Sequence, residues 1–406
     1  MNTNFNMVKK PKKEDKIDEE IEEIELDDDK PTTSNSDVAR KRMFKMMGFI
    51  VGGMFILLFI LYIVSLFTTK DYSYTELEGL LKNAAISYFK DYPDSLPQAD
   101  GDIVEIDSSN LVAAEKMKTL SEYTGEGVAC SGVVQVEKAG EEFLYTPYLN
   151  CGDNYLTEEL YKKIISDENL VSTGYGLYAN NGNYIYRGED VDNYVKLGNS
   201  LWRIVKVTAN NNIVLIHQDG ILYSQPWDNR YNEGKFYAAG FNNYNSSRVK
   251  EFLEKVYNNP NKDEQEDILS KKDKANLVSY NLCIGKRANN SETKDNSEEC
   301  NEVLNNQKLG LLTLSDYLYA SIDPNCKSSL SKSCQNYNYL ILKDKTWWLA
   351  TGDKNDTSKV YSVQSNGVVE AMDASNYNII RPVIYLNSKV LYKSGDGSLE
   401  KPFKIK

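Results

Sequence analysis

The chain has 406 residues and a formal charge of −12, with 47 Lys and Arg against 59 Asp and Glu. Residues 1–47 carry ten basic and twelve acidic side chains, so about −10 falls on the remainder, which argues against nucleic acid and anionic lipid as partners. Such a surface suits a cation-rich wall or plain solvation, and its more than three hundred residues suffice for one large or two ordinary cores, of which two are expected.

Residues 1–42 read as a disordered acidic cytoplasmic tail, with eleven acids between Glu14 and Asp29. From Gly48 to Phe67 no charge interrupts the chain for about twenty residues, the length of a bilayer-crossing helix, so 43–69 is expected to span a membrane once. Arg40, Lys41, Arg42 and Lys45 precede the run and only Lys70 follows closely, which places the amino side in the cytoplasm and the rest outside, at the cell surface. A cleaved signal peptide is the competing reading, but the run is longer than an h-region and lacks a small-residue cleavage pattern.

All six cysteines, Cys130, Cys151, Cys283, Cys300, Cys326 and Cys334, lie beyond the apolar run, as disulfides of an oxidising compartment would. Six permit fifteen connectivities. Zinc is the alternative, yet no pair has CxxC spacing and the one histidine, His217, is near no cysteine in sequence. No metal or cofactor is expected. Calcium on loop acids such as Asp353 and Asp356 would lack EF-hand spacing.

Residues 70–155 read as a small module of helix and antiparallel sheet. Ser73 and Glu76 have capping-box spacing, and Tyr74, Leu77, Leu81, Ala84, Ala85 and Tyr88 fall on one helical face. Ser109 or Asn110 is expected to cap a second short helix. Runs 132–137 and 143–149 form a hairpin whose open end brings Cys130 opposite Cys151, where a bridge would clamp it. The order of anchor, helix and sheet resembles a type IV pilin-like module over about 48–155, although a long acidic tail precedes Gly48 where a pilin has a short leader ending in glycine, and the apolar run contains no glutamate.

After a linker at 156–173, residues 174–406 change to short β-type runs rich in Tyr, Asn and Gly. Strands are expected at 184–186, 193–197, 201–207 and 213–216, and a helix through Val249, Phe252, Leu253 and Val256. A charged insertion at about 258–308 would be held by Cys283 and Cys300. A short helix capped at Ser315 follows, then a loop bracketed by Cys326 and Cys334, and a hairpin turning at Asn366-Gly367. The expected fold class is α+β: a single-pass anchor, a stalk and a β-rich domain.

Tyr184-Ile-Tyr-Arg-Gly188 with Asn193-Tyr-Val195, Leu201-Trp-Arg-Ile-Val205, Gly310-Leu-Leu-Thr-Leu-Ser-Asp-Tyr-Leu-Tyr-Ala320, Trp347-Trp348, Arg381-Pro-Val-Ile-Tyr-Leu386 and Ser394-Gly-Asp-Gly-Ser398 together resemble a group of uncharacterised exported domains of low-GC Gram-positive bacteria. The layout is also similar to the C-type lectin group of folds, which implies that early and late strands pair and that the loops between them form a binding face.

The leading functional expectation is a cell-surface binding or adhesion protein whose domain recognises a wall glycan or a surface protein through aromatic and amide side chains. Trp227, Asp228, Trp347, Trp348 and Asp353 are the candidate ligand residues, against the reading that the tryptophans are core. A wall hydrolase working with two carboxylates is the alternative, as is a transmembrane wall sensor; no GxSxG, HExxH or phosphate loop occurs, and no catalytic residue is singled out.

Overall fold

The computed structural model describes residues 35–67, 72–124, 128–221, 223–258, 268–328 and 331–406, so the tail to residue 34 and the stretch 259–267 of the insertion lie outside the described residues. Contacts divide the chain into two units between Lys70 and Asp71. In the first, one helix runs Asn35–Phe67, starting before the expected boundary at 43 and so including the last residues assigned to the tail. Its stretch Arg42–Tyr62 is long and apolar enough to cross a membrane, with mean hydropathy 2.3 and none of it buried.

The second unit is α+β. The helix Tyr74–Asp91 opens on the anticipated capping box: the Ser73 hydroxyl accepts from the Glu76 amide, and the Glu76 carboxylate accepts from the Ser73 amide at 2.9 Å. Leu77, Leu81, Ala84 and Ala85 are buried as the spacing requires, whereas Tyr88 is only half-buried. They pack on a three-stranded antiparallel sheet of Ile103–Asp107, Ser131–Ala139 and Glu142–Asn150, with the 131–139 strand central. The first of these strands escapes sequence reading because IVEID is too short to show a period; its register, Ile103 opposite Glu137, comes from the hairpin beside it. The second short helix starts at Ser108 and takes Asp107, not Ser109 or Asn110, as its N-cap residue. Cys130 and Cys151 are bridged at the open end of the hairpin, and Cys283–Cys300 and Cys326–Cys334 are the other two disulfides.

The stretch 156–173 is not a linker. It holds a short helix, Leu160–Ile164, whose Leu160 and Ile164 are fully buried in the large core, because the apolar face of the helix needs a partner that the sheet of the larger part supplies. Polar bonds join the stalk to that part. Glu78, almost fully buried, accepts from Lys406, Thr157 and, at 2.9 Å, the Tyr155 hydroxyl, and Lys389 pairs with Glu137 at 2.7 Å. The hydrophobic clusters nevertheless remain separate: those of the stalk involve residues between 72 and 155, and the large one begins at Leu160.

An eight-stranded mixed sheet organises the larger part. Its spine places Val383–Leu386, Ile213–His217, Ser200–Val207, Tyr194–Leu197, Phe403–Ile405 and Tyr392–Ser394 side by side, while Asn183–Arg187 joins the far end of Ser200–Val207 and carries Gly176–Asn180 with it. Early and late strands therefore do pair: Ile213–His217 lies antiparallel to Val383–Leu386, and Tyr194–Leu197 lies parallel to Phe403–Ile405. A separate three-stranded sheet, Trp347–Gly352, Lys359–Val363 and Val369–Asp373, includes the hairpin anticipated at Asn366-Gly367. The helix Arg248–Asn258 buries Val249, Leu253 and Val256, and the helix Leu314–Ala320 begins at a Thr313–Asp316 capping box rather than at Ser315.

Candidate functional site

The tryptophans expected to meet a ligand are core residues. Trp227, Trp347 and Trp348 have no exposed surface, nor has Asp228, and Asp353 is almost fully buried. Their polar atoms are largely used internally: the Trp227 indole N–H donates to the Leu349 carbonyl at 3.0 Å, that of Trp348 to the Gln225 carbonyl at 3.0 Å, and Asp228 forks onto Arg230. Asp353 accepts from the Asn355 amide at 2.7 Å within a turn. A buried indole offers no face for a sugar ring, so these five residues are corrected from ligand contacts to framework. Trp227 and Asp228 begin a loop whose exposed aromatic side chains are instead Tyr231, Phe236 and Tyr237.

A different group of side chains converges on one cleft. Its floor is the far end of Ser200–Val207, where a bulge between Ile204 and Lys206 breaks the register with Ile213–His217. Alternation along a regular strand would send Lys206 elsewhere; with the bulge, both Ile204 and Val205 are buried and the Lys206 amine reaches Asp316 at 2.6 Å. Asp316 is the capping-box residue of the helix Leu314–Ala320, and its second oxygen accepts from the Thr313 hydroxyl at 2.9 Å. Both partners are mostly buried, with 19% and 17% of their side chains exposed. Burial works against each charge, but the mutual attraction outweighs it, so the Lys206 amine is held above the usual lysine range and the Asp316 carboxyl below the usual carboxylate range. The pair stays ionised and is neutral overall.

Two turns and an insertion wall this floor. Asn180 and Asn183 pair across a two-residue turn in which Asn181 and Gly182 adopt φ of +48° and +80°, the left-handed geometry of a type I′ hairpin. Opposite stand Asp295 and Asn296 from the insertion. That loop is fixed from beneath by a wholly buried ion pair, Arg287 to Glu299 at 2.6 Å, with the Ser315 hydroxyl 2.8 Å from Arg287 and 3.0 Å from both Glu299 oxygens. Arg287 also donates to the backbone carbonyls of Thr293, at 2.6 Å, and Asp295. The Cys283–Cys300 bridge closes the base of the same loop.

The resulting cleft measures about 360 Å³, within the range of small-molecule sites, and Asn180, Asn181, Asn183, Asn296, Tyr319 and Tyr385 line it around the ion pair. A side chamber of about 110 Å³ adjoins it, and Lys206, Asn296, Asp316 and Tyr385 line both. Tyr385 stacks on Tyr280, with ring centroids 3.9 Å apart and planes 11° apart. Among the described residues no group of acids, histidines and cysteines is arranged to hold a metal ion.

Sequence reading missed this site. Asn181-Gly182 between β-type runs was as plain a hairpin signal as Asn366-Gly367, and Lys206 stood as an interior charge in an apolar strand, but the partner of that charge lies 110 positions away. Comparison with protein-family models, with curated proteins and with solved structures returns no match.

Proposed function

We propose that the protein is a membrane-anchored cell-surface binding protein that takes a neutral glycan in this cleft. The observation that carries the proposal is the lining: side-chain amides and tyrosines set around a charge-neutral ion pair, with one wall carboxylate, Asp295, that accepts from Ser297. Amides pair with the vicinal hydroxyls of a sugar, tyrosine rings cover its apolar face, and a neutral centre asks for no ligand charge. The apolar helix and the three disulfides support an anchor with the larger part outside the cell. The likeness of 174–406 to exported and lectin-like domains, and of 48–155 to a pilin-like stalk, belongs to the same proposal.

A two-carboxylate hydrolase fits the cleft poorly. Its acid catalyst needs a raised pKa, whereas Asp316 is held down by Lys206 and Thr313 despite its burial, and Asp295 is held down by Ser297. A protein partner is the second reading, favoured by Phe236, 84% exposed at a backbone φ of +62° on a loop tied down by Lys235 to Asp356 and Tyr237 to Asp373. The test is co-sedimentation of the full chain in nanodiscs with isolated cell walls, followed by assay of the supernatant for sugars. Retention that Asn181→Ala and Asn296→Ala abolish is the expected result. Released fragments would favour the hydrolase, and retention indifferent to both substitutions would refute the cleft as the site.

A further inference from the structure

The hairpin that walls the cleft runs on past it. Its register pairs Asn180 with Asn183, Tyr178 with Ile185 and Gly176 with Arg187. Side chains alternate along each strand, so Tyr178 and Arg187 share a face with Asn180, Asn183 and Ile185, which line the cleft, while Leu177 and Tyr186 on the other face enter the core. Arg187 stands two residues, about 7 Å, beyond Ile185. Its guanidinium lies over the Tyr178 ring, 4.9 Å from the centroid, and donates to the backbone carbonyls of Tyr319 at 3.0 Å and Ser321 at 3.1 Å. Tyr319 itself lines the cleft, and the Lys294 amine sits over its ring, 5.8 Å from the centroid.

Two cations therefore rest on one tyrosine at the edge of the cleft, and no carboxylate pairs with either. Among the described residues Arg187 forms no ion pair, and Lys294 forms neither an ion pair nor a hydrogen bond, although both are half-buried. Asp323, the carboxylate whose attraction reaches Lys294, is committed elsewhere: it accepts from the Asn325 amide at 2.8 Å and the Asn336 side chain at 2.6 Å. Burial first and the Arg187 guanidinium second press the Lys294 amine down to about 8, against that weaker attraction. The main chain of Lys294 is fixed, because the Thr293 and Asp295 carbonyls on either side of it both accept from the buried Arg287. Holding like charges together while partly desolvated is unfavourable, and an oxyanion that bridges them offsets the repulsion with charge-assisted hydrogen bonds. We propose that Arg187 and Lys294 form an oxyanion subsite beside the cleft, which takes the carboxylate or phosphate of an acidic unit adjoining the uncharged sugar. This goes beyond the glycan reading: the unit in the cleft stays neutral, the acid belongs to its neighbour, and the subsite stands even if the cleft takes no sugar.

The experiment is isothermal titration of the full chain, in nanodiscs of zwitterionic lipid, with cellotriose and with its C6-carboxylate and C6-phosphate forms, three probes that differ only in the group at C6. At least one acidic probe should bind about ten-fold more tightly than cellotriose, the worth of one charge-assisted contact, and the advantage should shrink as salt is added. Whichever acid gains more identifies the substituent. Lys294→Gln should erase most of the preference, and because Lys294 makes no hydrogen bond in the fold this variant should unfold no more easily than wild type. Arg187→Lys, which keeps the charge but loses the forked donor, is expected to weaken the acidic probes by less. Equal binding of all three probes would overturn the subsite and leave the glycan reading standing, as would a preference that survives Lys294→Gln. Binding of the acidic probes alone, lost in Lys294→Gln but unmoved by Asn181→Ala and Asn296→Ala, would support the subsite and overturn the cleft. Binding of none would overturn both.

Discussion

Replacing His217 with Gln should remove a pH dependence that the fold imposes. The imidazole is 7% exposed at the end of Ile213–His217, edge-on to Trp202 with ring centroids 5.0 Å apart. Arg381, 1% exposed, donates to the His217 carbonyl at 3.0 Å, and Asp219 is the nearby countercharge. Burial first and the Arg381 guanidinium second press the imidazole from 6.5 down to about 4, against the weaker pull of Asp219. A folded value below the unfolded one means that the native state binds its proton later as pH falls. The His217 contribution is therefore fully present above pH 6.5, declines between 6.5 and 4, and is lost below the folded value. A gap of that size is worth about 3 kcal/mol at 1.36 kcal/mol per pH unit. The assay is urea unfolding of residues 71–406, followed by tryptophan fluorescence from pH 4 to 8, for wild type and His217→Gln. The difference between the two stability curves should be flat above pH 7 and move by about 3 kcal/mol in favour of the variant between 6.5 and 4, while other carboxylates titrate equally in both and cancel. Parallel curves across that window would refute the argument, because they would mean that His217 takes up its proton in the fold as readily as in the unfolded chain.

Three further outcomes follow from the walls and the stalk. Glu299→Gln leaves the Arg287 guanidinium buried without a counter-charge and should cost about 3–5 kcal/mol, read as a lower urea midpoint and proteolysis within 284–302; a loss under about 1 kcal/mol would show that backbone carbonyls alone satisfy Arg287. Opening the Cys283–Cys300 bridge, which spans 17 positions, with alanine at both sites should cost about 3 kcal/mol by chain entropy and speed hydrogen exchange at Asp295 and Asn296, and unchanged exchange there would mean that the ion pair by itself holds the wall. Ser73→Ala removes a capping box and should cost about 1 kcal/mol, with faster exchange confined to the first turn of Tyr74–Asp91; exchange spreading along the whole helix would contradict a local cap.

Features set by neighbouring residues were legible in the sequence alone. The apolar run, the Ser73–Glu76 cap, the clamped hairpin of the stalk, the helix at 248–258 and the nearest-neighbour disulfides each depend on contacts within about twenty positions, and the residues that decide them stand together. What tertiary structure decided was which side chains meet water. Trp227, Trp347 and Trp348 carry the same residue type whether a strand face turns outward or inward, and the large sheet together with its three-stranded companion turned them inward. The reverse happened at Lys206. Its apolar neighbours mark it as an interior charge but say nothing of its partner; a bulge one residue earlier and an aspartate 110 positions on make it the centre of a cleft. Leu160 and Ile164 likewise read as part of a linker until the sheet that covers them is assembled from strands far along the chain. Burial is a property of the whole packed chain, so the site followed from pairings no local pattern could announce.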